Sequence, residues 1–290
     1  MKSYFKSAAG KEHILALYDQ KLDALGLETE SRWVETSFGK THVLVAGEKQ
    51  HPPLVIVHGS NGCAPISLEI YPRLVEHFRV YAVDVPAQPN KTEAQRPSMR
   101  DASYGTWMTD VLDGLGLEKV RMLGFSFGGL VILKTLIFNE KRVKEAFLAA
   151  PAYIVNGNPI RLLLKMFMPL KRYIRRPNEK DLHRFLDGLF SEPDEFARHY
   201  LAAVFQHFEL DFAQVPVISK KEAASISVPI TLFAAKNDLI FPGEAMIKRA
   251  KKLFPSLKQA IIYPDSKHVQ GPADNQKVEK AVIGSVLPEA

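Results

Sequence analysis

Cysteine is almost missing from this sequence. Cys63 stands alone in 290 residues. That excludes an internal disulfide and any metal cage built from several thiolates, and it suits a reducing compartment, so a cytoplasmic location is expected. No apolar run approaches the roughly 20 residues that cross a bilayer, so stable membrane insertion is not expected. The opening stretch, MKSYFKSAAGKEHILALYDQKL, has basic residues but no continuous apolar core before a cleavage site. It reads as neither a signal peptide nor an anchor. No Asp, Glu and His residues share metal-ligand spacing, and no glycine run fits G-x-G-x-x-G. Neither a metal nor another cofactor is expected. Nucleic-acid motifs are absent as well. The net charge of +6 is spread over a chain with acids interspersed, which describes a mildly basic protein better than one built around an anionic partner.

What is present is apolar and regularly spaced. A hydrophobic content of 46% over this length is enough for one large α/β domain, or for a domain with an insertion. The chain is organised around Val120–Leu133. An apolar strand, KVRML, turns through Gly124-Phe125-Ser126-Phe127-Gly128-Gly129 and leaves as the apolar helix LVILKTLIF. A serine between glycines two before and two after it fits a tight strand-to-helix turn that lifts the hydroxyl clear of the sheet. Strand and helix there pass too close for side chains at Gly124 and Gly128. The helix N-terminus aims backbone N–H groups at the same spot, where a developing oxyanion would sit.

Around this centre the pattern alternates. Helical spacing covers Glu12–Leu25. Arg32–Phe38 and Thr41–Ala46 read as a hairpin turning at Gly39-Lys40. Strands are expected at Leu54–Val57, Arg79–Val83, Val143–Ala149, Pro229–Ala235 and Gln259–Tyr263. Helices are expected at Leu68–His77, Asp101–Leu115 (capped by Asp101 or Ser98), Gly243–Phe254 and Asn275–Val286. Such alternation implies a mostly parallel twisted sheet with helices on both faces. From Ala152 to Ile226 it stops, and only helices are expected: Pro159–Phe167, Asn178–Phe190 and Pro193–Leu210. This gives a core of residues 1–151 and 227–290 with an inserted helical cap at 152–226.

Ser126, Asp238 and His268 follow one another in chain order, each just past the end of an expected strand, the edge where sites form in open parallel sheets. With HGSNG at 58–62, GFSFGG at 124–129 and KNDLIFP at 236–242, nearly the whole chain resembles the α/β-hydrolase fold, and small bacterial carboxylesterases within it. The resemblance implies a serine hydrolase acting on small to medium apolar esters through an acyl-enzyme, without cofactor. Ser126 would be the nucleophile, His268 the base and Asp238 the acid that orients it. Backbone N–H groups of Ser60 and Phe127 would form the oxyanion hole, with Asn61 the substitute if the turn shifts by one residue. Asp84 is the competing acid, His58 a brace for the oxyanion loop, and Cys63 a small buried residue near the site. Phe125 and Phe127 flank the serine and suggest an apolar guest. Lys267, Ala235 and Ala87 stand where the family usually has glycine.

The same three residues would serve a thioesterase, lipase, amidase or acyltransferase, or a low-turnover ligand-binding member of the fold. In the helical stretch, Pro159–Met168 is strongly apolar and six basic residues lie between Arg161 and Arg176 with no acid among them. One reading is a lid that lines an acyl pocket and makes weak contact with a lipid surface. The other is a cap helix packed on the core with solvated charges outside.

Overall fold

The computed structural model describes residues 3–287. Its strands are β1 (Thr29–Thr36), β2 (Gly39–Ala46), β3 (Pro53–Val57), β4 (Arg79–Val83), β5 (Glu93–Ala94), β6 (Val120–Phe125), β7 (Val143–Ala149), β8 (Ile230–Ala235) and β9 (Leu257–Tyr263). They form one sheet in the order β1-β2-β4-β3-β6-β7-β8-β9, with β5 beside β2. From β4 to β9 every neighbouring pair is parallel, while β1, β2 and β5 pair antiparallel at one edge. Side chains of a strand alternate between faces. In β3, Val55 and Val57 enter one core while Leu54 and Ile56 enter the other. Both faces are covered, which is why the central strand β3 is apolar throughout, while the edge strand β9 keeps Lys258 and Gln259 exposed.

One core is closed by the helices Ser103–Gly114, Phe127–Asn139 and Gly243–Leu253. The other is closed by Ala8–Ala24, Ala64–Ile70 and Pro272–Gly284, together with helices from the long segment between β7 and β8. The helix Phe127–Asn139 is buried through its first ten residues, as a sequence apolar on most faces requires. The segment between β7 and β8 holds helices Pro159–Leu162, Met168–Arg175, Glu179–Leu189, Glu195–His207 and Lys220–Ala224.

Three local expectations need correction. The hairpin turns at Ser37-Phe38, not Gly39-Lys40, because Thr36 pairs with Gly39. Thr36 Oγ1 accepts from Phe38 N, and Asp110 Oδ2 accepts from Ser37 N, so side chains hold the turn. The helix expected at Leu68–His77 is two pieces, Ala64–Ile70 and a 3₁₀ turn Pro72–Glu76. Pro72 cannot donate backward and forces Tyr71 out of the helical region. The helix after the Pro-rich loop starts at Ser103 with Ala102 at its N-cap and no side-chain cap. Asp101 instead accepts from Ser103 N at 2.9 Å.

Candidate active site

The strand order reverses direction at β3 and β6, and a crevice opens there at the carboxyl ends of parallel strands. The loop after β3 and the turn after β6 face each other across it. Ser126 takes φ 53°, ψ −113°, a region that costs a non-glycine residue about 1–3 kcal/mol. Its neighbours leave it no alternative. A Cβ on Gly128 would lie 2.1 Å from Val57 O, and one on Gly124 would lie 2.6 Å from Gly128 O. Ser126 N donates to Ala149 O, while Ser126 O accepts from Gly129 N and Ala152 N. The strained backbone is thus fastened on both sides to β7 and its exit.

Three side chains meet above this turn. Ser126 Oγ lies 2.9 Å from His268 Nε2, and His268 Nδ1 lies 2.7 Å from Asp238 Oδ2. The second carboxylate oxygen of Asp238 accepts from Ile240 N at 2.7 Å and Phe241 N at 2.9 Å, which fixes its orientation. All three residues are buried. The imidazole is held between the rings of Phe125 and Phe241, at centroid distances of 5.2 and 5.5 Å.

The loop after β3 is held just as closely. Burial keeps His58 below the usual histidine range, against an opposing pull from Asp84. Its neutral ring donates from Nδ1 to Gly59 O at 2.7 Å and accepts at Nε2 from Val85 N at 3.0 Å. Asn90 Nδ2 is 3.2 Å from the same Nε2. Asn61, at φ 59°, donates its backbone N–H to Gln88 Oε1 at 2.7 Å. That N–H is committed. Among the described residues, Ser60 N and Phe127 N have no protein acceptor. Gly59 fits against the turn because a Cβ there would lie 2.9 Å from the Phe125 ring. Gln88 and Asn90 were missed in sequence; their only signal was their place in the Pro-rich loop after β4.

Asp84 is occupied elsewhere. Its Oδ2 accepts from Tyr18 Oη and pairs with His42 Nδ1, both at 2.9 Å, and its Oδ1 accepts from Ala64 N at 2.8 Å. The carboxylate is wholly buried in this network, away from His268. Cys63 lies beside it, fully buried, and burial followed by the Asp84 charge pushes its thiol well up. Because thiolate is the reactive form, Cys63 in the folded protein is expected to resist iodoacetamide at pH 8 and to label only on denaturation. Rapid native labelling, read by intact mass, would contradict this burial.

Above the three side chains lies a cavity of about 770 Å³. Leu162, Met166, Phe167, Leu170, Phe185 and Leu189 from the segment between β7 and β8 supply much of its wall. Phe125 also lines it. Phe127 does not: its ring turns into the core against Tyr104, 5.3 Å away, because the sharp turn sends successive side chains to opposite sides. The lining carries five carboxylates, Glu69, Glu192, Asp194, Glu195 and Asp211, and no lysine or arginine. No helix among the described residues is long and apolar enough to cross a membrane.

Residues 52–191 match the sequence model of the alpha/beta hydrolase fold family. The sheet, covered by helices on both faces, continues on both sides of the matched residues. The chain has the α/β-hydrolase fold. Carboxylesterase YbfK of Bacillus subtilis (strain 168) is 29% identical over 283 residues, covering 93% of each chain. An uncharacterized carboxylesterase, nap, of the same strain is 26% identical over 266 residues, covering 84% of this chain and 83% of the relative. The crystal structure of naproxen esterase (carboxylesterase NP) from Bacillus subtilis superposes with a TM-score of 0.82 at 23% identity. The match covers 97% of this chain and 100% of the other chain.

Proposed function

We propose that this α/β hydrolase cleaves carboxylic esters through an acyl-enzyme on Ser126. The observation that carries the reading is the hydrogen-bonded series Ser126 Oγ, His268, Asp238 at 2.9 and 2.7 Å, at the floor of a largely apolar cavity. Ser126 Oγ attacks the acyl carbon while His268 Nε2 takes its proton. The tetrahedral oxyanion is held by Ser60 N–H and Phe127 N–H. It collapses as the alkoxide leaves with the proton from His268. Water then repeats the cycle: it attacks the acyl carbon, gives a proton to His268, and Ser126 departs with that proton, leaving the free acid. Asp238 keeps the imidazole in the correct tautomer and stabilises its charged form. The names of the carboxylesterase relatives support the same chemistry.

The substrate is read as small to medium, apolar and uncharged. The wall offers a free carboxylate no lysine or arginine, the nearby Lys21, Arg96 and Arg198 being paired already with Glu69, Asp211 and Glu195, and desolvating an unpaired charge is costly. Stopped assays with p-nitrophenyl esters of matched length test this. Butyrate is expected to exceed the hemisuccinate in kcat/KM by at least about tenfold, equivalent to ~1.4 kcal/mol. Equal values would reject the charge argument, and no turnover of either would reject the esterase.

Residues 152–226 are read as an inserted helical cap on a core of 1–151 and 227–290. The support is that the segment leaves and re-enters at β7 and β8, which pair directly with each other. Its Ile160, Leu163, Leu164 and Phe167 recur at helical spacing and stand exposed beside Arg161 and Lys165. This stripe favours weak contact with an anionic lipid surface, since two copies facing each other would oppose like charges. Co-sedimentation should rise with the anionic fraction of phosphatidylcholine vesicles and vanish in Ile160→Glu/Leu164→Glu. Binding indifferent to lipid charge would remove this part of the reading. A cytoplasmic setting is consistent with the single buried Cys63.

A further inference from the structure

The loop that carries His268 follows β9 and has no regular structure of its own until the helix at Pro272. The backbone N–H and C=O of His268 make no hydrogen bond within the described residues. Its place therefore depends on the residues to either side, and these are held from outside the sheet.

One hydroxyl does much of the holding. Ser191 Oγ accepts from Lys267 N at 2.9 Å and donates to Val269 O at 2.8 Å. It thus bridges the residues directly before and after His268. The main chain continues the seam: Ser191 N donates to Val269 O and Val269 N to Leu189 O, both at 2.9 Å. Lys267, where the family usually has glycine, reaches Asp187 O at 2.6 Å and Asp187 Oδ1 at 3.0 Å. Beside it, a Cβ on Gly271 would fall 2.2 Å from Glu192 Oε1, so the two segments are packed as well as bonded. On the sheet side the same loop has Asn237 N to Ser266 O at 3.0 Å and Ser266 Oγ to Asp274 Oδ2 at 2.5 Å.

We infer that Ser191 is a positioning residue for His268, and that the junction of the helices Glu179–Leu189 and Glu195–His207 is a brace for the base. This rests on the reading of His268 as the base. Reaction needs Nε2 to stay in line between Ser126 Oγ and the leaving oxygen, and displacement by about 1 Å costs as much as 10²-fold in rate. With the hydroxyl removed, Lys267 N loses its acceptor and Val269 O keeps only one of its two donors. The loop then samples positions in which the imidazole is misaligned, while Ser191 itself does not line the cavity, so turnover should suffer more than substrate binding. A junction tied in this way cannot lift without releasing the base.

The test is steady-state kinetics on p-nitrophenyl butyrate with the full chain, alongside thermal unfolding. Ser191→Ala is expected to lower kcat roughly tenfold with KM changed less than about twofold. Ser191→Thr, which keeps the hydroxyl, should restore most of the loss. Fluorophosphonate labelling of Ser126 should slow in parallel with kcat. Lys267→Ala, which cuts only the tether to Asp187, should cost less than Ser191→Ala. If Ser191→Ala does not fold, Ser191→Cys takes its place with the same expected split. Wild-type kcat in the Ser191 variant, with His268→Ala inactive, overturns the positioning role and leaves the base assignment standing. Equal losses in Ser191→Ala and Ser191→Thr overturn it too. An active His268→Ala would instead overturn the base itself.

Discussion

Ser126→Ala is expected to lower kcat for p-nitrophenyl esters by about 10⁶-fold and to abolish fluorophosphonate labelling, while the melting temperature stays within a degree or two of the parent. The two halves have separate causes. Activity falls because the oxygen hydrogen-bonded to His268 Nε2 is gone. Stability holds because the change deletes one hydroxyl and leaves the backbone strain in place, since alanine keeps the Cβ that makes φ 53° unfavourable. Ser126→Gly separates them further. It should be as inactive, but more stable than Ser126→Ala by about 1 kcal/mol, because glycine adopts this conformation freely. Residual turnover in Ser126→Ala above about 1% of the parent would point to another nucleophile. A melting temperature lowered by many degrees would mean that the turn is held by the serine side chain and not by Gly124, Gly128 and β7.

The difference between what sequence shows and what it hides is visible in these same residues. Gly124 and Gly128 were legible because their requirement is local and steric: backbone passes within van der Waals range, and only glycine fits. The parallel strands were legible because burial on both faces removes polar residues from them. Asp238 and His268 were legible by their place after strand ends. Ser191 was not, because its partners lie 76 to 78 residues away across two elements, and a serine before Glu192-Pro193 looks like any turn. Gln88 and Asn90 were hidden for the same reason. The helix expected at Pro159–Phe167 exists, but it passes through a π turn at Leu163–Phe167. Pro169 accounts for that irregularity, since it cannot donate to the carbonyl four residues earlier. Gly39 misled the reading of the hairpin, because a glycine marks the neighbourhood of a turn more reliably than its central pair.

Asp84 and Asp238 both sit past the end of a parallel strand, and both pair with histidine through a carboxylate oxygen, at 2.9 and 2.7 Å. Opposite phenotypes are expected from them. Asp238→Asn should lower kcat by about 10⁴-fold with little loss of stability. The amide retains the shape and keeps an acceptor for Ile240 N and Phe241 N, but it presents the wrong partner to His268 Nδ1–H and offers no charge to the imidazolium. Asp84→Ala should destabilise the protein by about 3–5 kcal/mol, lowering the melting temperature by on the order of 10 °C. It strips the acceptor from Tyr18 Oη, His42 Nδ1 and Ala64 N at once, all inside a dry region where unpaired polar groups are expensive. Below its melting transition the same variant should still turn over ester at a rate near the parent, because none of these groups touches Ser126 or His268. Kinetics and thermal melts on the two variants decide the matter together. If Asp84→Ala melted like the parent but lost turnover, the acid would have to be reassigned to Asp84 and the Asp238 contact demoted to a turn. If Asp238→Asn lost stability and kept its rate, the same conclusion would follow from the other side.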